Sequence, residues 1–225
     1  GIIVTNTPGV NAEAVGELAF GLILSAARKI PHLDRSTRDG GWIRSTGMEL
    51  KGKTLGIMGL GAIGKVVARC ARGFDMDVIA YDPYIDLNYC QDHGITSLPA
   101  DEVLSRSDVL SLHLPLTDET HHLIDRETID KMPKGAIIIN ASRGGIIDEA
   151  AVYEALQSSR LGGLGLDAFE QEPPKGSPLL TLPNVIATPH TGAHTKEATD
   201  HMAALAISNL TDVLSGQECA YVVNR

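Results

Sequence analysis

The sequence predicts a doubly wound α/β domain built on a parallel sheet. Three observations carry that expectation. Strand-like and helix-like runs alternate along most of the chain, as in layered α/β folds. The strand-like runs show little polar alternation, as expected where helices cover both faces of a sheet. The stretch GIMGLGAIG, Gly56 to Gly64, sets three spaced glycines at a strand-to-helix turn.

The elements follow in order. GIIVTN at the start reads as part of a strand, and Asn11–Ile30 reads as a long helix that stops at Pro31. Its apolar residues Val15, Leu18, Leu22 and Ala26 share one stripe. Thr54–Met58 (TLGIM) is a short apolar run typical of a buried strand. After it, AIGKVVARCARGF spaces Ile63, Val66, Val67 and Cys70 as a helix does. Gly59 permits the tight turn between them, Gly61 lets a pyrophosphate approach the backbone, and Gly64 lets the helix pack on the strand. Asp77–Tyr81 (DVIAY) is the next strand. It ends at Asp82, 18 residues beyond Gly64, where a carboxylate grips the ribose hydroxyls of a dinucleotide. Further strands are expected at Asp108–His113, Ala136–Asn140, Gly163–Asp167 and Asn184–Thr188. Helices are expected around Ala100–Arg106, Asp125–Met132 and Asp148–Ser158. A second long helix, Thr195–Leu214, carries Met202, Leu205, Ile207 and Leu210. The two long helices lie outside the alternation, so each is expected against a partner subunit, a further domain or the sheet's flank.

Composition narrows the function classes. A chain of 225 residues can bury one large core. Its formal net charge of −9 argues against a nucleic-acid binder, which usually shows a basic face. Cys70, Cys90 and Cys219 are odd in number and widely spaced, which fits thiols in a reducing compartment such as the cytoplasm. The longest apolar run, Ala14–Ala27, is interrupted by Glu17 and is too short for a membrane span.

Ligands of such sheets bind at the carboxyl ends of the strands. The polar residues there are Asp82, His113, the NASRGG segment Asn140–Gly145, Asp167 with the following AFEQEPP, and TPHTGAH from Thr188 to His194. Arg143 can fork onto a carboxylate in bidentate fashion, or it can pair on the surface with Asp148 or Glu149. His190 suits proton transfer near neutral pH. Glu170 and Glu172 are both candidates to hold one of its ring nitrogens and favour the imidazolium. A metal site from His190, His194, His201 and Glu197 lacks any recognisable ligand spacing. The adjacent His121 and His122 point apart on regular structure, so no metal is expected.

These segments resemble the D-isomer-specific 2-hydroxyacid dehydrogenases. ELKGKTLGIMGLGAIGK, YDPY, LHLPLTDETHHLI, NASRGGIIDEAAV, LDAFEQEPP and TPHTGAHTKEA follow the family's order across the chain. GMELKGKTLGI, GAHTKEA and the YVVN ending are closest in flavour to its phosphoglycerate-oxidising branch. The resemblance implies a Rossmann domain that binds NAD, preferred over NADP because Asp82 would oppose a 2′-phosphate. It implies a catalytic trio of Arg143 for the substrate's carboxylate and carbonyl, His190 as acid and base, and Glu172 to orient the histidine. It places Gly59, Gly61, Ala62, Ile63, Gly64, Asp82, Pro83, His113, Leu114, Pro115, Thr120, Ala141, Ser142, Arg143, Asp167, His190, Gly192 and Ala193 around the cofactor.

Ala62 stands where many relatives carry arginine, and His194 where serine or tyrosine is common. Family members also place a substrate domain before the strand that GIIVTN resembles. The chain therefore reads as an NAD-binding domain: residues 1–50 as strand, helix and connector, 51–190 as the core, and 191–225 as a helix packing on the absent domain. It is expected to bind NAD yet turn over poorly alone, and to dimerise through this domain with Asn11–Ile30 as the contact. Lactate, glyoxylate or hydroxypyruvate type substrates, and a role as an NAD-sensing corepressor, are the alternatives.

Overall fold

The computed structural model describes residues 1–224. Its strands are β1 Thr54–Met58, β2 Asp77–Tyr81, β3 Thr96–Ser97, β4 Val109–Leu112, β5 Ala136–Asn140, β6 Leu161–Leu166 and β7 Val185–Ala187. They form one sheet in the order β3-β2-β1-β4-β5-β6-β7, and every neighbouring pair is parallel. The chain starts in the middle at β1, winds out to β3, then returns to lay β4 against the other side of β1. That reversal opens a crevice at the carboxyl ends of β1 and β4, where doubly wound sheets bind ligands.

Strand side chains alternate between faces, and here both faces are apolar. Leu55, Ile57, Val109, Ile137 and Ile139 point into one core beneath helices α1 (Ala12–Arg28) and α3 (Ala62–Arg72). Met58, Leu110, Leu112 and Ile138 point into the other. That second core lies beneath α5 (Ala100–Arg106), α6 (Arg126–Lys131) and α7 (Glu149–Gln157). Burial on both sides explains why the strands read as continuous apolar runs.

Several elements depart from the sequence expectation. β3 is a two-residue edge strand paired with Ile79 and Ala80, too short to show a pattern. The short α4, Leu87–Asp92, is capped by Asp86, whose carboxylate accepts the Tyr89 N–H. GIIVTN lies outside the sheet. Thr5 instead bridges antiparallel to Val222, and Val4 O accepts the Val223 N–H, so the start of the chain pairs with its YVVN end. The first long helix stops at Arg28 because Lys29 takes a left-handed φ of 55°. Pro31 does not end it but opens α2, Ile30–Arg38, where a first-turn proline sacrifices no helical hydrogen bond.

The stripe on α1 is turned inward. Val15, Leu22 and Ala26 are buried, and Leu18 packs against the same core. Gly165 in β6 makes room for Leu22, since a Cβ there would come within 3.0 Å of the Leu22 Cβ. The sheet's flank is thus the partner of α1, and its stripe is not available for a dimer contact. The last helix, α8 Lys196–Leu214, buries only Ala198 and Asn209 and leaves Ile207, Leu210 and Leu214 exposed. Arg225, the end of the 191–225 segment, lies outside the described residues. Among the described residues, no helix is long and apolar enough to cross a membrane.

Candidate active site

The glycine loop is shaped by close packing. Gly59 has φ +97°, and a Cβ on it would lie 2.7 Å from the His113 carbonyl carbon. A Cβ on Gly64 would overlap the Gly59 carbonyl oxygen, while one on Gly61 would meet nothing. Loop and helix therefore pack at backbone contact, while Gly61 keeps open space beside its backbone. Gly61 also caps α3 without any side-chain bond, so the first N–H groups of the helix are left for an anion. Asp82 stands at the tip of β2. Its Oδ2 accepts the Leu60 N–H at 2.8 Å and its Oδ1 accepts the Tyr84 N–H at 2.8 Å. Each carboxylate oxygen keeps a second lone pair for a hydroxyl. An open cradle, an uncapped helix start and an acid at the neighbouring strand end fit a dinucleotide.

The far end of the crevice is built by three strand-end loops. After β5, the buried Asn140 organises NASRGG: its Oδ1 accepts Ser142 N–H at 3.1 Å and Ser142 Oγ at 2.7 Å, and its Nδ2 donates to Arg143 O at 2.8 Å. Arg143 extends outward, its Nη1 donating to Ser142 O at 2.8 Å. Neither surface partner considered for it is engaged with it: Asp148 caps α7, and Glu149 bonds the Glu170 N–H.

After β6, Asp167 is only 2% exposed. Its Oδ1 accepts Thr188 Oγ1 at 2.6 Å and Thr191 N–H at 2.8 Å, and its Oδ2 accepts Gly192 N–H at 2.8 Å. Asp167 therefore fastens the TPHTG loop. That loop holds His190 at φ 50°, a left-handed conformation that costs a non-glycine residue about 1–3 kcal/mol and persists where its surroundings impose it.

His190 Nδ1 lies 2.9 Å from both Glu172 oxygens. A carboxylate only accepts, so Nδ1 carries a proton and Nε2 is left as the proton-accepting atom of the ring. Burial pushes the Glu172 pKa up, but the bonds from His190 and from Phe169 N–H, with the nearby charges of His190 and Arg143, outweigh it and leave the carboxyl below its ordinary value. Arg143, Glu172 and His190 line one open cleft of about 520 Å³ with Leu116, His121 and His122. Glu170 lines the same cleft but pairs with His122 rather than with His190.

Other residues take supporting places. Leu114 and Ala141, just past β4 and β5, are buried against the two cores. Thr120 Oγ1 donates to Pro115 O at 2.6 Å, bracing its own loop. His113 puts its carbonyl under Gly59, while its ring faces Ser111 Oγ at 2.8 Å and burial lowers its pKa to about 4. His121 and His122 do not point apart: His122 has φ 51°, and the two rings stack with centroids 4.0 Å apart. Among the described residues, no group of three or more His, Cys, Asp or Glu could hold a metal ion.

Residues 20–192 match the D-isomer specific 2-hydroxyacid dehydrogenase NAD binding domain. The chain belongs to the D-isomer-specific 2-hydroxyacid dehydrogenases. Its cofactor is NAD, which the cradle, helix start and Asp82 fit. Over its whole length the chain is 47% identical to a D-3-phosphoglycerate dehydrogenase of Methanocaldococcus jannaschii, covering 43% of that protein. It is 40% identical to a glyoxylate reductase of Korarchaeum cryptofilum, covering 70% of it. A solved glyoxylate reductase from Paecilomyes thermophila superposes with a TM-score of 0.93 at 35% identity, over 100% of this chain and 69% of that one. The chain thus spans less than half the length of the phosphoglycerate dehydrogenase it matches.

Within this dehydrogenase domain, sequence reasoning placed Asn140 and Thr188 in polar strand-end segments but assigned neither its organising role. Both are polar residues at strand ends, and a buried polar group needs partners. That signal was present, but the partners lie in loops whose shape only the fold supplies.

Proposed function

We propose that this chain is the cofactor half of an oxidoreductase acting on a D-2-hydroxyacid, with 3-phosphoglycerate as the substrate. The convergence of Arg143, Glu172 and His190 on one cleft, at the same carboxyl edge of the sheet as the glycine loop, carries the reading. Arg143 holds the substrate's carboxylate through its planar fork and polarises the carbonyl. His190 Nε2 removes the hydroxyl proton in oxidation and returns it in reduction. Glu172 keeps Nδ1 protonated, fixes the ring and balances the imidazolium charge. NAD, when bound, supplies the hydride acceptor. Asp167 and Asn140 hold the loops on which these side chains stand.

The phosphorylated substrate is favoured by the 47% identity to a phosphoglycerate dehydrogenase, and a plain 2-ketoacid by the 40% identity to a glyoxylate reductase. Kinetics of the full-length protein with both substrate types decides between them. For the 225-residue chain we propose NAD binding with slow turnover. His190 is 48% exposed at its side chain, and an open, wet cleft weakens charge stabilisation. Calorimetric titration with NADH tests the first part; brisk hydroxyacid oxidation by this chain alone would refute the second.

We also propose that the exposed face of α8 docks against the remainder of the protein. Dimerisation through this domain then uses the arm bearing exposed Trp42 and Ile43 rather than α1. Sedimentation of Trp42→Ala against the unmodified chain checks the latter.

A further inference from the structure

One side-chain cluster outside the trio joins the loops that follow β4, β5 and β6. Glu149, at the start of α7, donates its backbone N–H to Glu170 Oε1 at 3.0 Å and accepts the Glu170 N–H on its own Oε1 at 2.8 Å. The same Glu170 oxygen meets His122 Nε2 at 3.2 Å. His122 N–H in turn donates to Gly145 O at 2.8 Å, in the loop that carries Arg143. The two loops touch without slack, since a Cβ on Gly144 would overlap the Phe169 carbonyl. Burial, and then the Glu170 charge, push the Glu149 carboxyl above its usual range, against the opposing pull of the Glu170 N–H.

Glu172 is poorly anchored by itself. Its side chain is 41% exposed, and among the described residues its one bond apart from those to His190 is from Phe169 N–H at 3.1 Å. Its position is therefore set by the backbone around Phe169 and Glu170, which the reciprocal Glu149–Glu170 bonds fasten to α7.

We propose that Glu149, Glu170 and His122 are positioning residues: a clasp that holds the Phe169–Glu172 segment so that both Glu172 oxygens face His190 Nδ1. Among the described residues, none of the three bonds Arg143, Glu172 or His190. The inference rests on the Glu172–His190 pair having the role given above. Displacements of about 1 Å at such a pair are enough to lower a rate up to a hundredfold.

The test is proton NMR of the 225-residue chain labelled with ¹⁵N-histidine. An imidazole Nδ1–H bonded to a carboxylate gives a downfield resonance, assigned to His190 by its loss in Glu172→Ala. Glu170→Ala is expected to lose that resonance or move it upfield. Glu170→Gln, which keeps an oxygen for the Glu149 N–H, is expected to retain it. Glu149→Ala leaves the Asp148 cap of α7 in place, is expected to repeat the loss, and serves if Glu170→Ala does not fold. An unmoved resonance in the folded alanine variants overturns the clasp. So do equal losses in Glu170→Gln and Glu170→Ala, unfolding of both alanine variants, or absence of the resonance from the unmodified chain. NADH calorimetry on the same samples separates the two ideas: no binding sinks the functional reading and leaves the resonance to judge the clasp.

Discussion

Glu172 presents both carboxylate oxygens to His190 Nδ1 at 2.9 Å. Because the pair depresses the Glu172 pKa, its sign in a pH titration follows. A carboxyl lowered by folding adds stability above its unfolded value, about 4.3, and loses it as pH falls through the folded value. The residue is substantially exposed, so screening holds the effect below about 1 kcal/mol. Thermal melts from pH 3 to 7 should therefore show a slightly shallower acid limb for Glu172→Gln than for the unmodified chain. Under the proposed mechanism, the same change should cut kcat far more than it raises KM for NADH.

His113 predicts a larger dependence of the same sign. Burial lowers its pKa to about 4, so the folded state keeps the ring neutral where the unfolded chain takes up a proton. Stability is then complete above about 6.5 and falls between about 6.5 and 4 by about 3 kcal/mol, as the linkage relation requires. His113→Phe should flatten that window in urea titrations. An unchanged slope there would show that the ring titrates normally.

Asp82 should decide between the two nicotinamide cofactors. Its carboxylate would face a 2′-phosphate, and two unit charges 4 Å apart repel by roughly 4 kcal/mol at an effective dielectric of about 20. Asp82→Ala should weaken NADH binding, because the Leu60 N–H also loses its acceptor, and narrow the NADH/NADPH ratio by about tenfold or more. Fluorescence titration with both cofactors measures this; a ratio that stays put removes Asp82 from the ribose site.

Two glycines in one loop should behave differently. A methyl at Gly64 collides with the Gly59 backbone, an overpacking that costs about 1–3 kcal/mol. A methyl at Gly61 meets no protein atom, and a phosphate held at the helix start would meet it there. Gly64→Ala should lower the melting temperature, whereas Gly61→Ala should leave it nearly unchanged yet weaken NADH binding about tenfold, roughly 1.4 kcal/mol. Equal NADH affinity in Gly61→Ala and the unmodified chain would place the phosphates elsewhere.

Much of this architecture was legible in the sequence because its causes are local. Runs such as AIIIN and TLGIM announce strands buried on both faces, and glycine spacing announces a turn that only small residues can make. The short edge strand β3 and the helix α2 were illegible for the converse reason. Two residues carry no period, and Pro31 has opposite meanings at a helix's end and at its first turn.

By itself, then, the sequence determined the layered parallel sheet, the cradle and the strand ends where chemistry gathers, since periodicity and backbone freedom are properties of neighbouring residues. Tertiary structure alone decided the long-range pairings. It set Glu172 against His190 and sent Glu170 to Glu149 and His122. It turned the stripe of α1 inward and gave Asp167 the loop it fastens. Those choices depend on which loops meet in space, and residues 18 or 24 positions apart acquire a distance only when the sheet brings their strand ends together.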